Sequence, residues 1–266
     1  TNRGPTDYLF VSNVRFLAMI AIVWVHTEFF AGYATDHSTA AYLQVFFLQL
    51  MKFGTIGFFL ISGFLLGDGM TRSSPLKYFR RRVKAVFVPW AFWGLVWFAV
   101  ALSGHLLNTM GGRSSEASFR EMIQDYFEFV FARSIYWFVP NFFIFLALLL
   151  WLHRRVSRYV QGLIFLAFSL FYGINTYLQL ITSRHTSALL GFVFYLWLGS
   201  FAYMHRERFT RWLDRTSWRS LALYACMAAV LGIVETHFLN RMHSDGSNTL
   251  RISNQAYSVL VTLLIV

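Results

Sequence analysis

The sequence predicts an all-α fold, a polytopic bundle of transmembrane helices, and three observations carry that prediction. Of its 266 residues 57% are hydrophobic, 20% aromatic and only 13% charged, and mean hydropathy is +0.50. A soluble domain carries about 25% charged residues, so this composition excludes an ordinary globular chain. Apolar runs recur at about the 20 residues that a helix needs to cross a bilayer. Finally, the cations gather in alternate loops. With the N-terminus inside, the inner segments hold 15 Lys and Arg and the outer ones 6, the asymmetry of cytoplasmic loops.

Topology thus accounts for the net charge of +11, and no nucleic-acid partner is expected. The single cysteine, Cys226, lies in an apolar stretch and supports neither a disulfide framework nor a Cys-based metal site. It reads as a small buried hydrophobe. The first apolar run contains Arg15 and His26 and lacks a small-residue cleavage site, so it reads as a mature span. The chain begins without Met and stops at Val266 inside an apolar run, and it reads as trimmed at both ends.

The elements follow in order. Span one is expected over residues 9–30 and span two over 42–67, with Gly54, Gly57 and Gly63 favouring a kink or close helix packing. A basic stretch, 71–84, leads into span three at 85–107, where Pro89 sits in the first turns and its missing N–H costs little. Within the polar stretch 104–133, residues 119–131 read as an amphipathic or re-entrant helix. Span four covers 135–152, broken by Pro140. Spans five, six and seven cover 160–174, 188–204 and 221–238, and an eighth begins near Ala256.

A charge within a span costs about 2.5–3.5 kcal/mol at the bilayer centre, which makes it a functional candidate. Span one holds Arg15 and His26. Eleven residues at 100° each bring both to one helix face, roughly 16 Å apart along the axis. Two readings stay open: Arg15 snorkels to headgroups and His26 satisfies a buried hydrogen bond, or both line a site. Asp36, Asp125, Glu128 and Glu235 are each able to orient His26, whereas Glu28, about 200° around the helix, is not on its face.

Ser62 is bracketed by small residues and either back-bonds within its helix or faces a ligand. The cations of residues 77–84 answer either to topology and anionic lipid or to a phosphate-bearing substrate. Trp137 and Phe138 are expected as an interfacial anchor, with a sugar-stacking platform as the alternative. No pair of histidines has helical metal-ligand spacing, so no metal is expected.

Arg15, ten intervening residues and His26 resemble the Arg-X10-His motif of the acyltransferase-3 family of membrane-bound O-acyltransferases. GFFLISGFLL (57–66), FRRRVKAVFVPW (79–90), YWFVP (136–140) and FYLWLGSFA (194–202) are similar to further motifs of that family and fall in its order. The basic loop departs at Ala85, where the family often has a second arginine, and Lys84 lies beside it. The resemblance implies one transmembrane acyltransferase domain over residues 1–266 with about ten spans in the complete family member. It implies transfer of an acyl group, often acetyl, from a cytoplasmic acyl-CoA-type donor to a sugar hydroxyl of an envelope glycan or lipid-linked sugar. His26 and Arg15 would be catalytic, and Arg80, Arg82 and Lys84 would bind the donor. Ser62, Trp137 and Phe138 would line the acceptor path. Acyl-CoA enters as co-substrate with no tightly bound cofactor and no metal, and membrane lipids surround the protein. The location implied is a bacterial inner membrane with the N-terminus cytoplasmic. A non-catalytic carrier or flippase for a lipid-linked glycan is the competing reading, and a membrane scaffold a weaker third. Dependence on an acyl donor separates them.

Overall fold

In the computed structural model the described residues are 8–27, 38–110, 118–153, 155–181, 186 and 188–266. They form helices α1 (Leu9–Thr27), α2 (Thr39–Met51), α3 (Phe53–Arg72), α4 (Pro75–Arg82), α5 (Val88–Met110), α6 (Phe119–Glu128), α7 (Phe138–Leu152), α8 (Arg158–Leu178), α9 (Val193–Met204), α10 (Arg206–Arg215), α11 (Trp218–Arg241) and α12 (Ile252–Ile265). No strand occurs among the described residues. Five helical stretches are long and apolar enough to cross a membrane, and α7, α9 and α12 are shorter apolar helices. Glu28, Asp36, His37, Arg113, Ser114, Arg154, Arg184 and His185 lie outside the described residues.

Large apolar side chains face outward. On α5 Phe92, Leu95 and Leu107 are 58%, 67% and 69% exposed, and Gly94 is its one buried residue. A helix apolar on every side and uncovered by protein is solvated by lipid.

Several helices start where a serine caps them. The side chains of Ser38, Ser74, Ser118 and Ser157 accept from the N–H groups of Ala41, Lys77, Glu121 and Val160. Each cap is worth about 1 kcal/mol. Ser118 and Glu121 complete a capping box, so residues 119–131 begin as the expected amphipathic helix before a π-helical turn at Phe129–Arg133.

The chain divides into two compact units. Described residues within 1–69, 157–185 and 190–266 form the first, and those within 70–156 and 186–189 the second.

In the first unit α3 is buried on most sides. A Cβ on Gly54 would sit 2.9 Å from the Ala18 carbonyl oxygen of α1. Toward α9 the approach is closer still. A Cβ on Gly63 would land on the Leu196 carbonyl oxygen, and one on Gly199 would land on that of Leu60. Glycines facing each other across two helices let backbones meet, the packing that replaces hydrophobic burial inside a bilayer. Phe59 and Phe192 stack beside this crossing at 5.4 Å between ring centroids.

One end of this unit is polar and buried. Arg251, 1% exposed, donates to the carbonyl oxygens of Asn248 (3.0 Å) and Gly232 (2.7 Å), to Thr236 Oγ1, and to Gln49 Oε1 (2.8 Å). Glu235 lies 4.0 Å away. Gln49 donates in turn to Asn254 Oδ1, and Lys52 Nζ donates to the Ser247 carbonyl oxygen. These bonds tie residues 242–251 to α2, α11 and α12.

The second unit holds α4 to α7. Tyr126 donates to the Gly94 carbonyl oxygen, and Trp90 Nε1 donates to that of Tyr136 at 3.1 Å. Burial pushes the Tyr126 phenol above its ordinary value, with Tyr136 adding to the shift, so the group remains a donor.

Several sequence expectations need correction. Span two is interrupted by a single turn at Lys52, which is 7% exposed and reaches the Ser247 carbonyl oxygen, and of the two roles expected for its glycines the structure shows close helix packing, at Gly54 and Gly63. Pro140 does not break α7: it sits in the first turn of Phe138–Leu152, where its missing N–H has no intrahelical partner to lose. The sixth span is the twelve-residue α9, since residues 189–192 are turns and Leu190 has φ 71°. The eighth helix begins four residues earlier than expected, at Ile252, directly after the anchored Arg251. Cys226 is exposed, since the packed face of α11 runs through Leu221, Ala225, Ala228 and Gly232, centred about 130° away from it.

Two consequences are testable by melting the protein in detergent. Gly63→Ala and Gly199→Ala should each lower stability by about 1–3 kcal/mol, the range for overpacking, whereas Gly104→Ala, with nothing within 4 Å, should melt at or above wild type. Equal melting of all three would remove the α3–α9 crossing as the organising contact. Arg251→Met should cost about 3–5 kcal/mol by stranding buried acceptors and Glu235, and it should open residues 242–251 to proteolysis. A variant with wild-type stability and protease resistance would make the network dispensable.

Candidate functional site

On α1 the residues turned to protein are Val11, Val14, Ala18 and Ala21. Their spacing of three and four places them on one stripe, and the two alanines admit Gly54. Arg15 and His26 lie about 80–100° around the helix from that stripe, and both are exposed. All ten residues between them are apolar, and Phe16, Met19 and Val23 are 65%, 57% and 59% exposed. A cation and an imidazole thus share the flank of a helix whose outward surface between them is hydrocarbon.

The carboxylates considered for His26 are distributed differently. Glu235 accepts from Tyr177 and Ser253 and adjoins Arg251. It is a member of the buried network. Asp125 and Glu128 lie on α6 in the second unit.

Ser62 is half-buried on α3 between buried Ile61 and Gly63. The two motifs around it and on α9 meet each other: GFFLISGFLL contributes Leu60 and Gly63, and FYLWLGSFA contributes Leu196 and Gly199. Their glycines serve the helix crossing.

The basic stretch forms α4, capped by Ser74 with Pro75 at its first position. Tyr78 is 1% exposed and organises the cations next to it. Arg82 Nε donates to the Tyr78 hydroxyl at 2.9 Å, and the guanidinium carbons of Arg82 and Arg81 lie 5.2 and 5.5 Å from its ring centroid. Arg80 and Lys84 are exposed. In a helix Arg80 and Arg82 differ by about 200°, so the expected donor-side cations do not form one cluster. Arg82 lies over Tyr78, while Arg80 projects from the other side of α4. Val83–Phe87 then makes a π-helical turn, with Val88 N–H bonded to the Val83 carbonyl. The wider turn relieves Pro89, which has no N–H and whose ring crowds the carbonyl four residues before it.

Trp137, expected as an interfacial anchor or stacking platform, is 5% exposed, and its carbonyl oxygen accepts from Asn141 Nδ2 at 3.0 Å. Its ring therefore has no broad open face within the unit. Phe138 is half-buried and stacks on Phe142 at 6.3 Å and 11°.

Sequence reasoning counted Arg251 as an outer-loop charge and missed the network around it. The available signal was the density of hydrogen-bonding residues in HSDGSNTLR (243–251), between two apolar runs.

No curated protein and no solved structure matches the chain. A family model described as an acyltransferase domain, that of acyltransferase 3, matches residues 8–266, from the first turn of α1 through α12. With apolar helices throughout and a family match over nearly its whole length, the chain belongs to the acyltransferase-3 family and is a multi-pass membrane acyltransferase.

Proposed function

We propose that this protein transfers an acyl group, acetyl in the simplest case, from a cytoplasmic acyl-CoA to a sugar hydroxyl of a glycan of the bacterial envelope. The observation that carries the reading is the Arg15–His26 pair, an ionic and a basic side chain on one flank of an otherwise apolar helix. Charge in such a place is retained for function by default.

Neutral His26 accepts the proton of the acceptor hydroxyl, whose oxygen attacks the thioester carbonyl carbon. The carbon–sulfur bond then breaks, the sulfur leaves as CoA thiol with a proton, and the ester stays on the sugar. At roughly 16 Å along the axis, Arg15 and His26 are further apart than the two side chains reach together. They therefore serve different portions of an extended substrate. Arg15 holds a phosphate-bearing part of the donor, for which a guanidinium fork is suited. Arg80, Arg82 and Lys84 supply further phosphate contacts, with Arg82 oriented by Tyr78. Ser62 and Phe138 belong to the acceptor path, and buried Trp137, packed edge-on against Phe138, positions that ring. In this reading the ends carrying α4 and α10 face the cytoplasm of a bacterial inner membrane, in line with the positive-inside asymmetry.

Steady-state kinetics test the assignment. His26→Gln should lower kcat by about 10²–10⁴-fold, the contribution of a general base, with the folded yield unchanged. Arg80→Gln and Arg82→Gln should instead raise the donor KM, by about 10- to 100-fold if a charged hydrogen bond of about 1.5–3 kcal/mol is lost. Arginine variants with wild-type donor KM would leave the basic stretch as a topology signal. A His26 variant with more than a few per cent of wild-type kcat would make that residue structural. Orientation is tested on a Cys226→Ser background with single cysteines. A membrane-impermeant thiol reagent on intact cells should label Ser114→Cys and spare Ser157→Cys, and the reverse pattern would invert the topology.

A further inference from the structure

The first unit contains a cavity of about 500 Å³ that none of the acyl-transfer roles uses. Leu60 of α3, Leu198 of α9, and Val259 and Leu263 of α12 line it, and at one end it meets His205, Arg208 and Trp212. The register of the helices explains this polarity. α9 ends at Met204 and α10 starts at Arg206, so the charged residues enter where the apolar helix stops. α10 itself is amphipathic. Phe209 and Trp212 stack at 6.0 Å on its apolar side, and its sequence RERFTRWLDR holds four arginines against one glutamate and one aspartate. Such a helix lies in the interface of an anionic leaflet.

The chemistry of the walls selects the occupant. A cavity of this size is within the range that takes a small molecule. Away from the charged end its hydrogen-bonding side chains are only Tyr159, whose ring packs edge-on against Phe201, and Thr262, whose hydroxyl already donates to the Ser258 carbonyl oxygen. An amide-bearing chain, such as the pantetheine arm of an acyl-CoA, would leave polar groups unsatisfied there. A hydrocarbon chain leaves none. At the charged end Arg206 lies over the Tyr203 ring and Arg211 Nε donates to the Glu207 carbonyl oxygen. Arg208 is exposed, and among the described residues its guanidinium has no hydrogen-bond partner. Asp68 accepts from Tyr203, and Arg208 is the one guanidinium that lines the cavity, with the His205 imidazole beside it.

We propose that this cavity is a binding site for an anionic phospholipid of the surrounding membrane, with one acyl chain between α3, α9 and α12 and the phosphate at Arg208 and His205. The site is separate from the proposed acyl-transfer residues and does not depend on them. A lipid bound there would fasten α10 to the end of α9 and stabilise the α3–α9 crossing that the cavity adjoins.

Native mass spectrometry of the full protein extracted in mild detergent, with phosphatidylglycerol or phosphatidylcholine supplied at equal concentration, tests the proposal. Wild type should retain one phosphatidylglycerol per chain, at least fivefold in excess of phosphatidylcholine, and melt higher with the former. Arg208→Gln should lose that preference, Arg208→Lys should keep most of it, and Ala202→Trp, which fills the cavity, should lose retention of both lipids. Arg219→Gln, on a cation that stacks on Trp218 outside the cavity, should behave as wild type. Equal retention of the two lipids by wild type would overturn the proposal, as would an Arg219→Gln loss as large as that of Arg208→Gln. Displacement of the lipid by acyl-CoA with the same dependence on Arg208 and Ala202 would also overturn it, by assigning the cavity to the donor.

Discussion

In the first unit α3 and α9 meet backbone to backbone, where Gly63 and Gly199 approach the carbonyls of Leu196 and Leu60 too closely for any side chain. In lipid this is where helix association must come from. A leucine gains little by leaving hydrocarbon for another leucine, so van der Waals packing between close backbones takes over. The consequence is a unit in which glycines mark the helix crossing, Phe59, Phe192 and Leu196 fill the space beside it, and polar residues such as Ser169, Asn254 and Ser258 are also buried. Two motifs that look like site signatures in the sequence are the two sides of this contact. Ser62 is carried beside it, on a helix held against its neighbours along most of its length.

The ionisable groups divide into two kinds against that background. Arg251 is enclosed, and carbonyl and side-chain acceptors from several elements surround it. A buried charge with such a partner set fixes one arrangement of helix ends and is costly to disturb. Arg15 and His26 are the opposite case. They flank the packed stripe of α1, contribute nothing to its crossing with Gly54, and interrupt a surface otherwise made for lipid. In the proposed reading that contrast separates the structural charge from the catalytic pair.

Much of this was legible in the sequence, and the exceptions have physical causes. Long apolar runs and the distribution of Lys and Arg define the helices, because bilayer thickness and loop charge act on every span alike. Arg15 and His26 could be assigned to one flank because helical spacing alone determines it. Short-range breaks were less visible. The run from Ala188 to Met204 is apolar but for Ser200, and Gly191 is the one turn-favouring residue within 189–192, too little to mark these residues as turns before α9. The role of Lys52 is invisible to local pattern because its partner, the Ser247 carbonyl, is 195 residues away. Arg251 looked like a loop cation for the same reason, with Gln49 202 residues distant. The exposure of Cys226 was readable in retrospect, since the small residues Ala225, Ala228 and Gly232 mark the packed face of α11 and Cys226 is off it.

The central claim is that this bundle catalyses acyl transfer and does not merely convey a glycan. The most direct measurement places purified wild-type protein in sealed liposomes, with acetyl-labelled acetyl-CoA on the side proposed to be cytoplasmic and a glycan acceptor on the other. The account predicts label on the glycan as a base-labile ester, free CoA thiol formed in equal amount, and neither product when the donor is omitted or supplied on the acceptor's side. Glycan crossing the membrane unlabelled, with no CoA released by a protein that melts cooperatively, would contradict it.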